Sequence, residues 1–195
     1  MNREIYVTDG VLTICPASEN DKGGLLRNLG RDIAKLAESL SVIGLEMKIS
    51  VAVDGINYSI FDEKNKYCGN IIIENPSSAT PEIGINLVKA KRNKGIALRA
   101  TRLVAKRFYE ENKVDYFLLK ASAENTHSRH MIEKTGAVFT GMEESPYKKI
   151  LKKCIASVSG SDCEGMKSRF EKELEEYKNM PDNVCVYKLM PESFI

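Results

Sequence analysis

Between Glu82 and Thr140 the spacing of apolar residues switches repeatedly between two periods, and few folds accommodate that succession. Glu82 to Val88 reads as a strand. From about Gly95 to Glu111 a helix follows, because Ile96, Ala100, Leu103, Val104 and Phe108 fall on one stripe while Arg99, Arg102, Lys106 and Arg107 lie mostly elsewhere. Tyr116 to Lys120 is a short apolar strand, and Thr126 to Lys134 a second helix. Gly136 supplies the left-handed position that ends it, and Val138 to Thr140 begins another strand. Strand, helix, strand, helix, strand in this order implies an α/β core.

The segments on either side add strands. Ile5–Val7 and Val11–Cys15 flank Asp9-Gly10, a dipeptide suited to a hairpin turn. Leu25, Leu26, Leu29, Ile33, Leu36 and Leu40 keep helical spacing, interrupted by Gly23, Gly24 and Gly30. Ile49, Val51 and Val53 alternate, as do Ile56, Tyr58 and Ile60 beyond Asp54-Gly55, which reads as a hairpin. Tyr67 to Glu74 is the next strand, ahead of a loop from Pro76 to Pro81. Further on, Tyr147 to Ile155 suits strand or helix, Ser157 to Ser161 is loop-like, Glu164 to Lys178 is a charged helix, and Val184 to Met190 is a closing strand before Pro191. A length of 195 residues fits one domain over 1–195, large enough to bury roughly 70% of its unfolded surface.

Composition removes several classes. At 43% hydrophobic and 29% charged, the chain is neither disordered nor fibrous. No stretch approaches the roughly 20 apolar residues of a membrane span, and Arg3, Glu4 and Asp9 sit where a secretory signal is apolar, so a cytoplasmic location is expected. The five cysteines, Cys15, Cys68, Cys154, Cys163 and Cys185, are scattered and odd in number, which suits reduced thiols packed in the core. His127 and His130 could share a helical face, but they lack acidic or Cys companions nearby, so no metal site is expected. There is neither a Gly-x-x-x-x-Gly-Lys-Ser/Thr loop nor a Gly-x-Ser-x-Gly elbow.

Charge is distributed unevenly. The whole chain carries +2, yet Ile83 to Tyr109 holds eight basic residues and no acidic one. In its middle, Arg92-Asn93-Lys94-Gly95-Ile96-Ala97 joins the end of a strand to the start of a helix. A helix start leaves about four N–H groups without partners and carries about half a positive charge, so it suits an anion. Gly95 and the small Ala97 let a diphosphate approach the backbone, and Lys91, Arg92 and Lys94 add charge around it. The competing interpretation is a solvated basic face with a glycine easing the turn. RNA binding by the Lys89–Arg107 belt is disfavoured by the near-neutral total.

The order of elements and three motifs decide between them. Arg92, Gly95 and Ala97 match Gln/Arg-x-x-Gly-x-Gly/Ala, and the run resembles motif A of the GNAT superfamily of acyl-CoA-dependent N-acyltransferases. Glu82-Ile83-Gly84, the segment Ala123-Glu124-Asn125-Thr126-His127-Ser128-Arg129, and Glu133-Lys134-Thr135-Gly136-Ala137 look like its ribosomal-protein N-terminal acetyltransferase branch. With Thr8-Asp9-Gly10-Val11-Leu12, the resemblance covers residues 8–142 and leaves 143–195 as a C-terminal elaboration.

What the resemblance implies is an α/β (α+β) fold built on a mixed, mostly antiparallel sheet of six to seven strands flanked by helices. Its fourth and fifth strands, at 82–88 and 116–120, splay apart to admit the pantetheine arm of acetyl-CoA. The arm would pair with the edge of Asn86, Leu87 and Val88. The diphosphate would lie on Arg92, Asn93, Lys94, Gly95, Ile96 and Ala97. Asn125 and Ser128 would lie near the cofactor, and Arg129 and Lys91 could reach its adenosine phosphate.

Acyl transfer to an amine needs a base, since alkyl ammonium groups titrate near 10. Glu82 is the leading candidate and Glu74 the reserve. Where many GNAT enzymes place a Tyr acid the chain has Ile132, so Tyr147, Ser128 or unassisted departure of the thiolate remain open. The expected activity is acetyl transfer to a primary amine, on a small molecule or a protein N-terminus, with a homodimer left open. A non-catalytic acyl-CoA sensor is the alternative.

Overall fold

A computed structural model describes residues 4–18, 21, 55–144 and 184–194, together with positions 168, 171, 172 and 175. Its framework is an eight-stranded sheet ordered β1-β2-β3-β4-β5-β6-β8-β7. The strands are β1 (Val7–Thr8), β2 (Leu12–Pro16), β3 (Gly55–Asp62), β4 (Tyr67–Glu74), β5 (Glu82–Leu87), β6 (Phe117–Ser122), β7 (Val138–Glu143) and β8 (Val184–Leu189). Helix α1 (Ile96–Asn112) follows β5, and α2 (Thr126–Lys134) follows β6. Every adjacent pair is antiparallel except β5 and β6. The mixed, mostly antiparallel sheet is therefore as expected; among the described residues it has eight strands against the expected number of about six to seven, because both the N-terminal hairpin and Val184–Leu189 join it.

Short polar side chains set the turns. Asp9 Oδ1 accepts from the N–H groups of Val11 (3.0 Å) and Leu12 (2.8 Å), while Gly10 takes φ +83°, so the Asp9-Gly10 signal does make the β1–β2 turn. Asp62 does the same between β3 and β4, accepting from Lys64 and Lys66, with Asn65 at φ +54°. Gly55 departs from expectation: it opens β3 as the register partner of Glu74 instead of sitting in a turn. The neighbours of β3 are β2 and β4; the proposed partner at 49–53 lies outside the described residues, as do the 25–40 helix and the 147–155 segment. Of the charged helix at 164–178, the described positions Ser168, Glu171, Lys172 and Glu175 are helical and exposed.

The core lies between one face of the sheet and α1. That helix buries Ala100, Thr101, Val104, Ala105 and Phe108, and Phe108 meets Phe117 of β6 edge-on at 5.9 Å. Truncating such a buried ring costs on the order of 3–5 kcal/mol. Cys15, Cys68 and Cys185 are buried, in keeping with core thiols. Among the described residues, no helix is long and apolar enough to cross a membrane.

Candidate active site

The site begins where the sheet comes apart. β5 is paired with β4 over its whole length, but β5 and β6 share the single register pair Glu82–Leu118. Backbone groups of alternate strand residues point to opposite edges. The Val88 N–H donates to Cys68 O of β4 (3.0 Å), and the Leu118 N–H donates to Pro81 O (2.9 Å). Even-numbered residues of β5 thus address β4, and odd-numbered ones address β6. Beyond the junction at Glu82, the groups left facing the opening are those of Ile85 and Leu87. This refines the expected edge: Leu87 turns to the gap, whereas the backbone groups of Asn86 and the Val88 N–H are committed to β4, and the Val88 carbonyl accepts from the Lys91 N–H (2.9 Å). Arg92 Nε donates to the Leu87 carbonyl (3.1 Å), so that oxygen is already engaged.

The opening leads into a cleft of about 1110 Å³, lined on the β5 side by Ile85, Asn86, Leu87 and Lys89, and at the start of α1 by Arg92, Asn93 and Gly95 through Leu98. A 3-10 turn at Lys89–Lys91 links strand to helix. Asn93 (φ +58°) and Gly95 (φ +73°) are both left-handed, an alternation that makes successive N–H groups converge on an anion. Gly95 caps α1 without a side-chain hydrogen bond, and the first turn holds no acidic residue. A Cβ at Gly95 would meet nothing within 4 Å, so a side chain there would project into open cleft. Lys94 stands exposed within the segment. Lys91 is instead paired with Asp62, which holds that carboxyl down at about 2.

Across the cleft stands α2, contributing Asn125, Thr126, His127, Ser128, His130, Met131 and Lys134. Asn125 Oδ1 caps the helix by accepting from the Ser128 N–H (3.1 Å), which leaves the Asn125 amide NH2 as its donor to a ligand. Both histidines line the cleft, a shared face that their spacing allows. Arg129 does not belong to this set, contrary to the suggestion that it reaches a phosphate. Its guanidinium is tied to Tyr187 Oη (3.1 Å) and Ala123 O (3.2 Å), and Tyr187 donates in turn to Glu133 Oε1 (3.3 Å). Ile132 is 3% exposed and packs in the core, so the position of the absent Tyr acid is structural here.

Glu82 stands at the closed end of the gap. Lys120 of β6 bridges it (2.8 Å) to Glu143 of β7 (2.9 Å), and Glu74 of β4 is its register partner. Burial, then the charge of Glu82, push the Glu74 carboxyl up, against a weaker pull from Lys120. Sequence reasoning missed Lys120 and Glu143. Lys120 was nonetheless visible as the one charged residue in an otherwise apolar strand; Glu143 was not, since only strand order brings it near.

A parallel pair split at one end, with a convergent N–H loop and helix start at its mouth, defines an α/β fold made to hold a long anionic ligand edge-on. The sequence profile for the acetyltransferase (GNAT) domain matches residues 27–138, and the chain belongs to the GNAT acetyltransferase family. Acetyl-CoA is the acyl donor of these enzymes. No curated protein sequence matches the chain. Among solved structures, RimL, a ribosomal-protein alpha-N-acetyltransferase in its apo form, aligns with a TM-score of 0.57 at 15% identity, over 96% of this chain and 98% of that one. Spermidine N-acetyltransferase from Vibrio cholerae, in complex with CoA and spermine, gives 0.59 at 13% identity, over 95% and 99%. A structure described as an acetyltransferase gives 0.59 at 16%, over 99% and 89%.

Proposed function

We propose that the protein is an N-acetyltransferase that moves the acetyl group of acetyl-CoA to a primary amine by direct attack, with no acyl-enzyme. The observation that carries this reading is the uncapped α1 start, with Gly95 open to the cleft, at the mouth of the β5–β6 gap. Convergent N–H groups from Asn93 to Ala97 hold the diphosphate, with Arg92 and Lys94 adding charge. Ile85 and Leu87 offer backbone groups to the amides of the arm, as a missing strand would. The Ile85 N–H, first beyond the junction, is placed to polarise the acyl carbonyl. Asn125 and Ser128 form the facing wall.

When bound, acetyl-CoA supplies a thioester whose thiol, with a pKa near 8.5, leaves without a dedicated acid. A carboxylate of the Glu74–Glu82 pair takes the ammonium proton of the acceptor. The excess of carboxylate over ammonium at this end favours an acceptor that arrives as a cation, whether a small amine or a protein N-terminus. Two measurements test the function: calorimetry with acetyl-CoA, expected to show saturable binding, and thiol release with a panel of primary amines. Absence of binding overturns the reading, and binding without thiol release would leave a sensor.

A further inference from the structure

We propose that Glu74 is the group that receives the acceptor's proton, and that Lys120 is a positioning residue which keeps Glu82 and Glu143 from that task. The inference rests on the acetyltransferase reading above. β5 and β6 part immediately after Glu82 and Leu118, so the next residues on the same face, Gly84 and Lys120, look at each other across the vertex of the gap. Gly84 adds no side chain, and a Cβ there would strike Ile72 Cγ2 at 2.9 Å. Ile72 thus fills the space over Gly84, and on this face the carboxylates gather around Lys120 beside the vertex.

Three carboxylates share the face, but they are not equivalent. Lys120 Nζ engages Glu82 Oε2 at 2.8 Å and Glu143 Oε1 at 2.9 Å. Glu74 is the one of the three that no ammonium pairs among the described residues. Its register partners are Gly55 on β3, which brings no side chain, and Glu82 on β5. The charged groups that face it are thus Glu82 and Lys120, with Glu143 beyond Lys120. A half-buried carboxylate beside a like charge binds a proton more readily than one held by an ammonium. A second feature marks this face as the acceptor's side. Asn70, two pleats along β4 from Glu74 and opposite Asn86, is 5% exposed, and among the described residues its Oδ1 accepts no hydrogen bond, which leaves a buried acceptor for a ligand's donor.

The step balances. Glu74 removes one ammonium proton, the freed lone pair forms the C–N bond as the C–S bond breaks, and the second amine proton goes to the departing sulfur. Glu74 then returns its proton to water. One ammonium and one thioester give one amide, one thiol and one proton.

Carbon-13 NMR of protein labelled at glutamate carboxyls tests the assignment without any acceptor. The Glu74 midpoint should lie above the ordinary glutamate value of about 4.3, fall in Glu82→Gln, and rise in Lys120→Met. Turnover is then followed by thiol release with acetyl-CoA and ethylenediamine or an alanyl peptide as acceptor. Glu74→Gln should lower kcat about 100-fold and erase the acidic limb of the pH profile, while Lys120→Met moves that limb to higher pH. A Glu74 midpoint at or below the ordinary value, or a Glu74→Gln enzyme that keeps its rate and its limb, overturns the assignment alone. Wild-type protein that binds no acetyl-CoA overturns the function beneath it.

Discussion

The two ends of β5 differ in pairing and in charge, although the strand is only six residues long. At Glu82 the strand is joined to both neighbours and surrounded by carboxylates around one lysine. At Leu87 it keeps one neighbour, and the chain runs on into Lys89, Lys91, Arg92 and Lys94. A ligand lying along this strand has its anionic part at one end and meets a cationic partner at the other. In the function proposed above, the strand is a ruler between a phosphate seat and an amine seat, so that one short element would carry both halves of a two-substrate site.

The comparison can be broken most directly at the basic end. Gly95→Glu puts a carboxylate into the open cleft at a left-handed position, and should weaken acetyl-CoA at least ~100-fold by calorimetry, with helix content by circular dichroism preserved. Tight binding by that variant would remove the phosphate seat. At the acidic end, Lys120→Met leaves two partly buried carboxylates without their cation. It should lower stability by about 1–2 kcal/mol in a denaturant melt, part of which Glu82→Gln restores in the same background, while acetyl-CoA affinity stays unchanged. Tyr187→Phe removes one hydrogen bond of the Arg129 guanidinium, which keeps that to the Ala123 carbonyl, and should lower the melting temperature slightly. Arg129→Ala should leave acetyl-CoA affinity within twofold, and a large loss would return Arg129 to the phosphate.

The smallest effect belongs to Asp62. The Lys91 ammonium, followed by the Lys66 N–H, lowers its carboxyl from 3.8 to about 2 in the folded state. A depressed folded value stabilises above the unfolded one, so this contribution is complete above about pH 4 and fades as pH falls through about 2. Asp62→Asn should therefore flatten a shallow loss of Tm across that interval.

The cradle was legible in the sequence because its parts are consecutive. Arg92 to Ala97 are neighbours in the chain, and a helix start exposes its N–H groups whatever the rest of the molecule does. Strand and helix bounds from Tyr67 to Lys134 were legible for a similar reason: period and turn chemistry are local. The carboxylate cluster was not, because Glu74, Glu82, Lys120 and Glu143 come from four strands, and β8 had to insert between β6 and β7 before their order was defined. Arg129 illustrates the opposite error. It is next to Ser128 on the same helix, yet its guanidinium bonds to a tyrosine 58 residues away.

What the sequence alone determined is the glycine-containing turn into α1 and the alternation of strands and helices, since both arise from contacts within a few residues. Only the tertiary structure decided where the sheet divides, which odd-numbered groups of β5 face the gap, and which glutamates Lys120 pairs. Those outcomes depend on strand order and register, and a pairing shifted by a single residue would turn every side chain to the other face.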